Sequence, residues 1–365
     1  MMGAELHRST IQFLSAALVK EEPMKYLKTI GFNSNQPIGR GFNYPYDIAF
    51  SNDDRIFVLN RMGGLNPNGI RIQICTFDEE WLGEFSTGPG TGDDQFKVPV
   101  CIAFDNQDFL YVTDEYLNEV KVFDNQGNFV KKWGTAIEGV GRLKGPAGIA
   151  HGDDWAVYVV EQYANRIHKL TRDGESVLSW GEEGTGEGQF DMPWGITLDS
   201  QGHVYVADWR NDRIQKFTSD GEFIAAFGKS GDGDGQFNRP SSVAVDGKGF
   251  IHVADWGNER VQVLAPDGSF HQMLHGEATL SKWAQEWLEV NQDELQARNN
   301  SDLLAKDLPA HLRTPFHAAS QTEPVFWGPV SVKLDSQDRL YVTEHSRHRI
   351  QIYEQSRSLS TQDIL

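Results

Sequence analysis

The sequence is short of several things, and each shortage narrows what the chain can be. It has 2 cysteines in 365 residues, Cys75 and Cys101, both in strand-like runs without metal-ligand spacing. That leaves no disulfide framework and no cysteine-rich zinc site; two isolated thiols fit a reducing compartment, and a cytoplasmic location is expected. Basic residues are scarce too, with Lys+Arg 33 against Asp+Glu 52 and a net charge of −19. Nucleic acid is not an expected partner, because its binding rests on clustered Lys and Arg. No apolar run approaches the ~18 residues of a membrane span, so no membrane role is expected. Nucleophile-elbow, phosphate-loop and HExxH patterns are missing. Glycine runs such as Gly184–Gly188 lead into a strand, so no helix N-terminus stands ready for a phosphate.

What is present is a repeat. Val204–Phe217 reads VYVADWRNDRIQKF, two period-2 strands joined by a tight polar turn. Second strands of this kind recur at 55–60, 110–115, 157–162, 204–209, 251–256 and 340–345, each followed by a third strand such as Arg71–Cys75 or Arg349–Tyr353. Prolines open the first strands at Pro45, Pro99, Pro146, Pro193, Pro240 and Pro329, with intervals of 54, 47, 47, 47 and 89. Near-constant spacing of this size marks propeller blades. The expected fold is all-β: one six-bladed β-propeller of four-stranded antiparallel blades spanning 24–355.

The sixth unit lacks a fourth strand, and Met24–Gly31 carries the fourth-strand pattern of Asn128–Gly134 and Glu222–Gly228. This N-terminal strand is expected to close the last blade, hiding an otherwise open sheet edge. Residues 1–23 form an N-terminal extension and 356–365 a tail. The stretch Ile11–Val19 could be a poor signal core; Lys20-Glu21-Glu22 follows where small residues would mark cleavage, so an exposed amphipathic helix is preferred.

These residues resemble the NHL-repeat family of six-bladed β-propellers. The pattern is a Pro-x-Gly-Ile strand, x-Tyr-Val-Ala-Asp, Asn-x-Arg-Ile-Gln-x-Phe and a Gly-x-Gly-x-Phe loop, which Gly184–Phe190 and Gly231–Phe237 carry nearly verbatim. The resemblance implies the fold; it does not imply one function, since such propellers serve as receptors, scaffolds, lyases and lactonases. Peptidyl-hydroxyglycine amidating lyases are similar and hold zinc through histidines four residues after the strand-two carboxylate. Here that place holds Asn118, Asn165, Asp212, Glu259 and His348, and zinc is not expected.

Two departures from the repeat point to function. The turn after the first second strand swells to Asn60–Ile70, and 42 extra residues precede Pro329. In the latter, Leu280, Trp283, Trp287 and Val290 fall at helical spacing, and a second short helix is expected at 301–308. Both expansions belong to loops on one propeller face, so a helical lid at 276–325 over the channel mouth is expected.

The same face collects Asn60, Asp114, Glu161, Asp208, Asp255 and Glu344 at the ends of the second strands. A subset of Asp114, Glu161, Asp208, Asp255 and Glu344 suits a divalent cation such as calcium; the competing reading is that each carboxylate binds backbone N–H groups of its own turn. The next positions vary: Arg61, Glu115, Gln162, Trp209, Trp256 and His345. Arg61 and His345 are the catalytic candidates, an electrophile and a general base. Trp194, Trp209, Trp256 and Trp327, with Glu115, are the ligand-binding candidates, an aromatic wall for a sugar face or an apolar group. The functional expectation is a lidded small-molecule pocket, a candidate metal-assisted hydrolase or lyase; the alternative is a non-catalytic module gripping a peptide or protein. Catalysis and oligomeric state stay open.

Overall fold

The computed structural model describes residues 23–34, 36, 38–61, 69–86, 88–135, 142–152, 154–304 and 308–356. The N-terminal extension, with its expected helix, the swollen turn at 62–68 and the tail after 356 lie outside the described residues. Six four-stranded antiparallel sheets make up the molecule. Five are built from consecutive strands, beginning with Pro45–Phe50, Ile56–Asn60, Arg71–Cys75 and Trp81–Phe85. In the sixth, Met24–Ile30 lies beside Arg349–Gln355, which pairs with Leu340–Glu344 and then Pro329–Leu334. The expected closure is therefore present.

Burial follows strand position. Second strands such as Val157–Glu161 are buried at all five residues, whereas fourth strands such as Phe129–Trp133 alternate. The inner strands are covered on both faces by neighbouring blades and read as continuous apolar runs; the outer ones read as period 2. Cores form between blades: Phe57 and Ile72 of the first pack with Ile102, Leu110 and Phe123 of the second. At the axis the blades approach closely enough that a Cβ on Gly148 would stand 2.4 Å from the Trp194 carbonyl oxygen, and one on Gly195 2.7 Å from that of Ser241. This explains the glycine of the Pro-x-Gly strand.

Two polar locks repeat around the ring. The side chain ending each second strand accepts the N–H of the residue 17 positions upstream: Asn43, Lys97, Lys144, Asp191, Asn238 and Trp327 donate to Asn60, Asp114, Glu161, Asp208, Asp255 and Glu344. The second lock ties blade to blade. Asn118, Asn165, Asp212, Glu259 and His348, all left-handed with φ of 52 to 58°, accept N–H groups of Gly145, Met192, Arg239, Gly328 and Tyr44 just before the next first strand.

The insertion between blades five and six forms α1 (Lys282–Val290), α2 (Gln292–Asn299) and α3 (Pro315–Gln321). The expected helix at 301–308 is corrected: the second helix ends at Asn299, and 301–304 are irregular. Nor does α1 bury one whole stripe, for Trp283 and Leu288 are buried while Trp287 and Val290 are 42% and 80% exposed.

The contacts of α1 place this helix away from the channel axis over which a lid was expected. Trp283 joins Ile30, Phe42 and Ile350 in the core of the closing seam; its indole N–H donates to the Glu79 carbonyl at 2.5 Å. The Glu79 carboxylate accepts the N–H groups of Lys282 (2.8 Å) and Trp283 (3.3 Å), an anion at a helix start where the dipole favours it. Trp287 meets Phe32, and Glu286 pairs with Arg40. These contacts lie on the outer wall where the last blade meets the first. The helix is a clasp on the seam; among the three helices it is α3 that reaches the mouth, against Trp256–Asn258 and Trp327.

Candidate site at the channel mouth

The residues after the second strands converge because their backbones are pinned. The N–H groups of Arg61, Glu115, Gln162 and His345 donate to the carbonyls of Tyr44, Val98, Gly145 and Gly328, each one residue before a first strand. In blades four and five short 3₁₀ turns, Trp209–Asn211 and Trp256–Asn258, start at the corresponding tryptophans.

On one side of the mouth the side chains are polar and interlocked. Arg61 Nη2 donates to Glu115 Oε1 at 2.7 Å, and Gln162 Nε2 to Glu115 Oε2 at 2.5 Å. The guanidinium lies 4.4 Å over the Tyr46 ring. Tyr46 in turn meets His345 at 5.8 Å and Trp194 at 6.4 Å between ring centroids. From Trp194 an arc continues to Trp209 (6.2 Å) and Trp256 (6.4 Å), adjacent rings inclined by 44° and 40°. Trp327 stands apart, between Phe316 of α3 and the Arg347 guanidinium. Arg61, Glu115, Trp194, Trp209, Trp256 and His345 thus belong to one continuous surface, with Trp327 on its rim beneath α3.

Burial pushes His345 down to about 4, with the nearby Arg61 charge acting in the same direction. The imidazole is neutral at pH 7, free to accept a hydrogen bond or proton though a weak base. Burial also raises Tyr46, so its hydroxyl keeps its proton. The floor is tight: the channel cavity below Tyr46 and Trp194 holds about 20 Å³, room for about one water. Deeper, Ser331 Oγ donates to Asp47 Oδ1 at 2.6 Å, and Lys333 Nζ lies 3.3 Å from Asp47 Oδ2. Burial holds both Cys75 and Cys101 up at about 12, so neither thiol ionises near neutral pH.

The structure does not gather the metal candidates into one ligand set. Asp114 accepts four backbone N–H groups, from Lys97, Val98, Tyr116 and Leu117. Glu161 holds Arg166 and His168. Asp208, Asp255 and Glu344 each take an arginine and a glutamine from their own blade: Arg213 and Gln215, Arg260 and Gln262, Arg349 and Gln351. Among the described residues no group of three or more His, Cys, Asp or Glu is placed to hold a metal ion.

His348, the one residue matching the lyase zinc position, serves in the ring closure: its Nδ1 accepts the Tyr44 N–H at 2.8 Å. Burial, with His345 beside it, pushes it down to about 4. An imidazole of unfolded pKa about 6.5 that stays neutral in the fold contributes stability fully present above pH 6.5 and lost as pH falls toward 4. His345 and His151 are shifted the same way. His348→Asn keeps the tie in the form blades two and three use, so the drop in melting temperature between pH 7 and pH 5 is expected to be smaller in this variant than in the parent. Equal drops would assign the acid sensitivity to other groups.

Two participants were missed in the sequence. Tyr46 carries the contacts between Arg61, His345 and Trp194; its signal was its place, one residue after the strand-opening proline, where Trp194 also sits and blades two, three, five and six have Val100, Ala147, Ser241 and Val330. Glu79 replaces the turn glycine of four other blades, Gly127, Gly174, Gly221 and Gly268, and keeps its left-handed φ of 61°.

The model of the NHL repeat matches residues 190–217, 237–264 and 326–353, which are parts of blades four, five and six. The chain carries NHL repeats. Solved structures share its fold at low identity. A catalytically inactive virginiamycin B lyase from Staphylococcus aureus, solved with Quinupristin, is 16% identical over 94% of this chain and 90% of its own, with a TM-score of 0.52. An auxiliary nutrient binding protein from Bacteroides thetaiotaomicron is 10% identical over 92% of this chain and 78% of its own, with a TM-score of 0.58. Hydrazine synthase of Kuenenia stuttgartiensis is 14% identical over 90% and 99%, with a TM-score of 0.50. No curated protein sequence matches the chain. The propeller fold is thus shared with lyases and binding proteins, and the likeness carries the fold alone.

Proposed function

We propose that this propeller binds a small organic ligand lying flat across the channel mouth, held on the Trp194–Trp209–Trp256 arc with its polar edge toward Arg61 and Glu115. The observation that carries this reading is the continuity of that surface, from the Arg61–Glu115 pair through Tyr46 to the third tryptophan. Varied side chains at repeat positions, all brought to one mouth, are what a binding site requires and what the repeat alone does not. The small cavity beneath makes the ligand sit on the floor, with α3 and its exposed Phe316 as a side wall. A sugar ring or an aromatic group suits such a surface. If chemistry occurs here it falls to His345 and Arg61, which meet the same Tyr46 ring.

A second reading, an extended peptide, is favoured by exposed Tyr116, Tyr163 and Phe316 spread around the mouth, since aromatic side chains anchor interfaces. The test is tryptophan fluorescence titrated with neutral oligosaccharides, aromatic acids and a peptide library. Saturable binding that Trp209→Ala weakens by at least about tenfold is expected, the loss of one aromatic anchor. Binding indifferent to both Trp209→Ala and Arg61→Ala removes the mouth from consideration.

A further inference from the structure

Large cavities also lie away from the tryptophan arc. One of about 520 Å³ lies between α1, α2 and the outer wall of the last blade, within the size range of small-molecule sites. Its α1 side is largely apolar, with Leu280, Ala284, Trp287 and Leu288 facing Phe32. Its other end is charged, with Arg298, Arg347 and Arg349 beside Glu294 and Glu323. Arg298 is neutralised by Glu323 at 2.7 Å, and Arg349 is held by Glu344 at 2.6 Å.

Arg347 differs from both. Its Nη2 donates to the carbonyl oxygens of Ala319, Ser320 and Thr322 at the end of α3, and no carboxylate among the described residues pairs with it. Its Nε is buried without a hydrogen-bond partner. The Glu344 and Glu323 carboxylates favour its charge from a distance without pairing with it, and a guanidinium partly withdrawn from water with no carboxylate in direct contact favours an anionic acceptor.

We propose that this cavity binds a small amphipathic carboxylate, its hydrocarbon part against Leu280, Trp287 and Leu288 and its carboxylate on Arg347. The charge requirement comes from Arg347, and the apolar requirement from the α1 wall. A neutral chain of equal length leaves the guanidinium unpaired, and a short carboxylate leaves the wall wet. The site adjoins the mouth at Arg347, whose guanidinium also lies 5.3 Å over the Trp327 ring on the rim, but the wall that holds the hydrocarbon is formed by α1 and not by the tryptophan arc. Because two of its walls are α1 and α2, occupancy also holds the clasp against the seam.

The test uses the full chain with decanoate and decanol as probes, followed by calorimetry and by Trp287 fluorescence. One decanoate per chain is expected to bind saturably, with decanol at least about tenfold weaker, the worth of a charge-assisted hydrogen bond. Arg347→Met is expected to bring decanoate down to the decanol level, and Ala284→Trp, which fills the cavity, to abolish both. Thermal melts check that each variant folds; Leu280→Trp replaces Ala284→Trp if the latter does not. No saturable decanoate binding, equal affinity for decanol, or decanoate binding unchanged in Arg347→Met each overturns the proposal.

Discussion

A chain that begins at Phe32 is expected to show no cooperative thermal transition and to aggregate, whereas one that begins at Pro23 melts like the parent. The removed strand pairs with the last blade from Met24↔Gln355 to Ile30↔Ile350. It also bridges to blade five, because the Gln272 side chain both donates to the Met24 carbonyl and accepts its N–H, each at 2.8 Å. Ile30 is fully buried, as are Ile350, Ile352 and Tyr353 on the strand it covers. Burial of Met24 and Ile30 alone supplies about 1.5–3 kcal/mol each, and the newly bare strand becomes an edge open to other chains. Against a total stability of about 5–15 kcal/mol for a folded domain, such a loss leaves little. A peptide of residues 23–31 added in trans is expected to restore the transition by pairing with the vacant edge. A truncated chain that melts cooperatively within a few degrees of the parent would contradict the closure argument.

This strand was legible in the sequence for a specific reason. Strand-opening prolines and the tyrosine-valine second strands repeat because every blade solves the same packing problem, so a missing fourth strand at one end and a spare one at the other show as arithmetic. The mouth residues were legible for the opposite reason. Arg61, Glu115, Trp209, Trp256 and His345 vary at a place where the repeat would tolerate one residue throughout. The carboxylates beside them follow the repeat, and their hydrogen bonds show why: each ties its own blade together, through the N–H 17 residues upstream and, in all but Asp114, side chains of the third strand. The position of the insertion was not legible, because loop topology says which face a loop leaves and not where its helices dock. That depended on Glu79, a single departure inside a turn whose only sequence trace is a missing glycine. Tyr46 was overlooked for a related reason, since its neighbours in the fold come from blades one, four and six and share no local pattern.

Trp283→Ala is the substitution that tests the clasp. Trp283 is 2% exposed and packs edge-on against Phe42 at 5.8 Å in the seam core; its indole N–H also satisfies the Glu79 carbonyl. Removing a buried tryptophan costs about 3–5 kcal/mol, and a domain of this size should lose several degrees of melting temperature as a result. Trp287→Ala, on the exposed side of the same helix, is expected to cost under about 1 kcal/mol in stability, although it weakens decanoate binding in the flank cavity. Glu79→Gly falls between them, because glycine relieves a left-handed conformation worth about 1–2 kcal/mol while the start of α1 loses its anion. The mouth lies on another part of the surface, so tryptophan-arc binding should survive Trp283→Ala at temperatures where the ring stays folded. Had α1 been a lid, the order would reverse, with mouth affinity falling first and stability hardly moving. A Trp283→Ala protein with unchanged melting and weakened mouth binding would restore the lid; the seam contacts of Trp283, Phe42 and Glu79 predict the opposite.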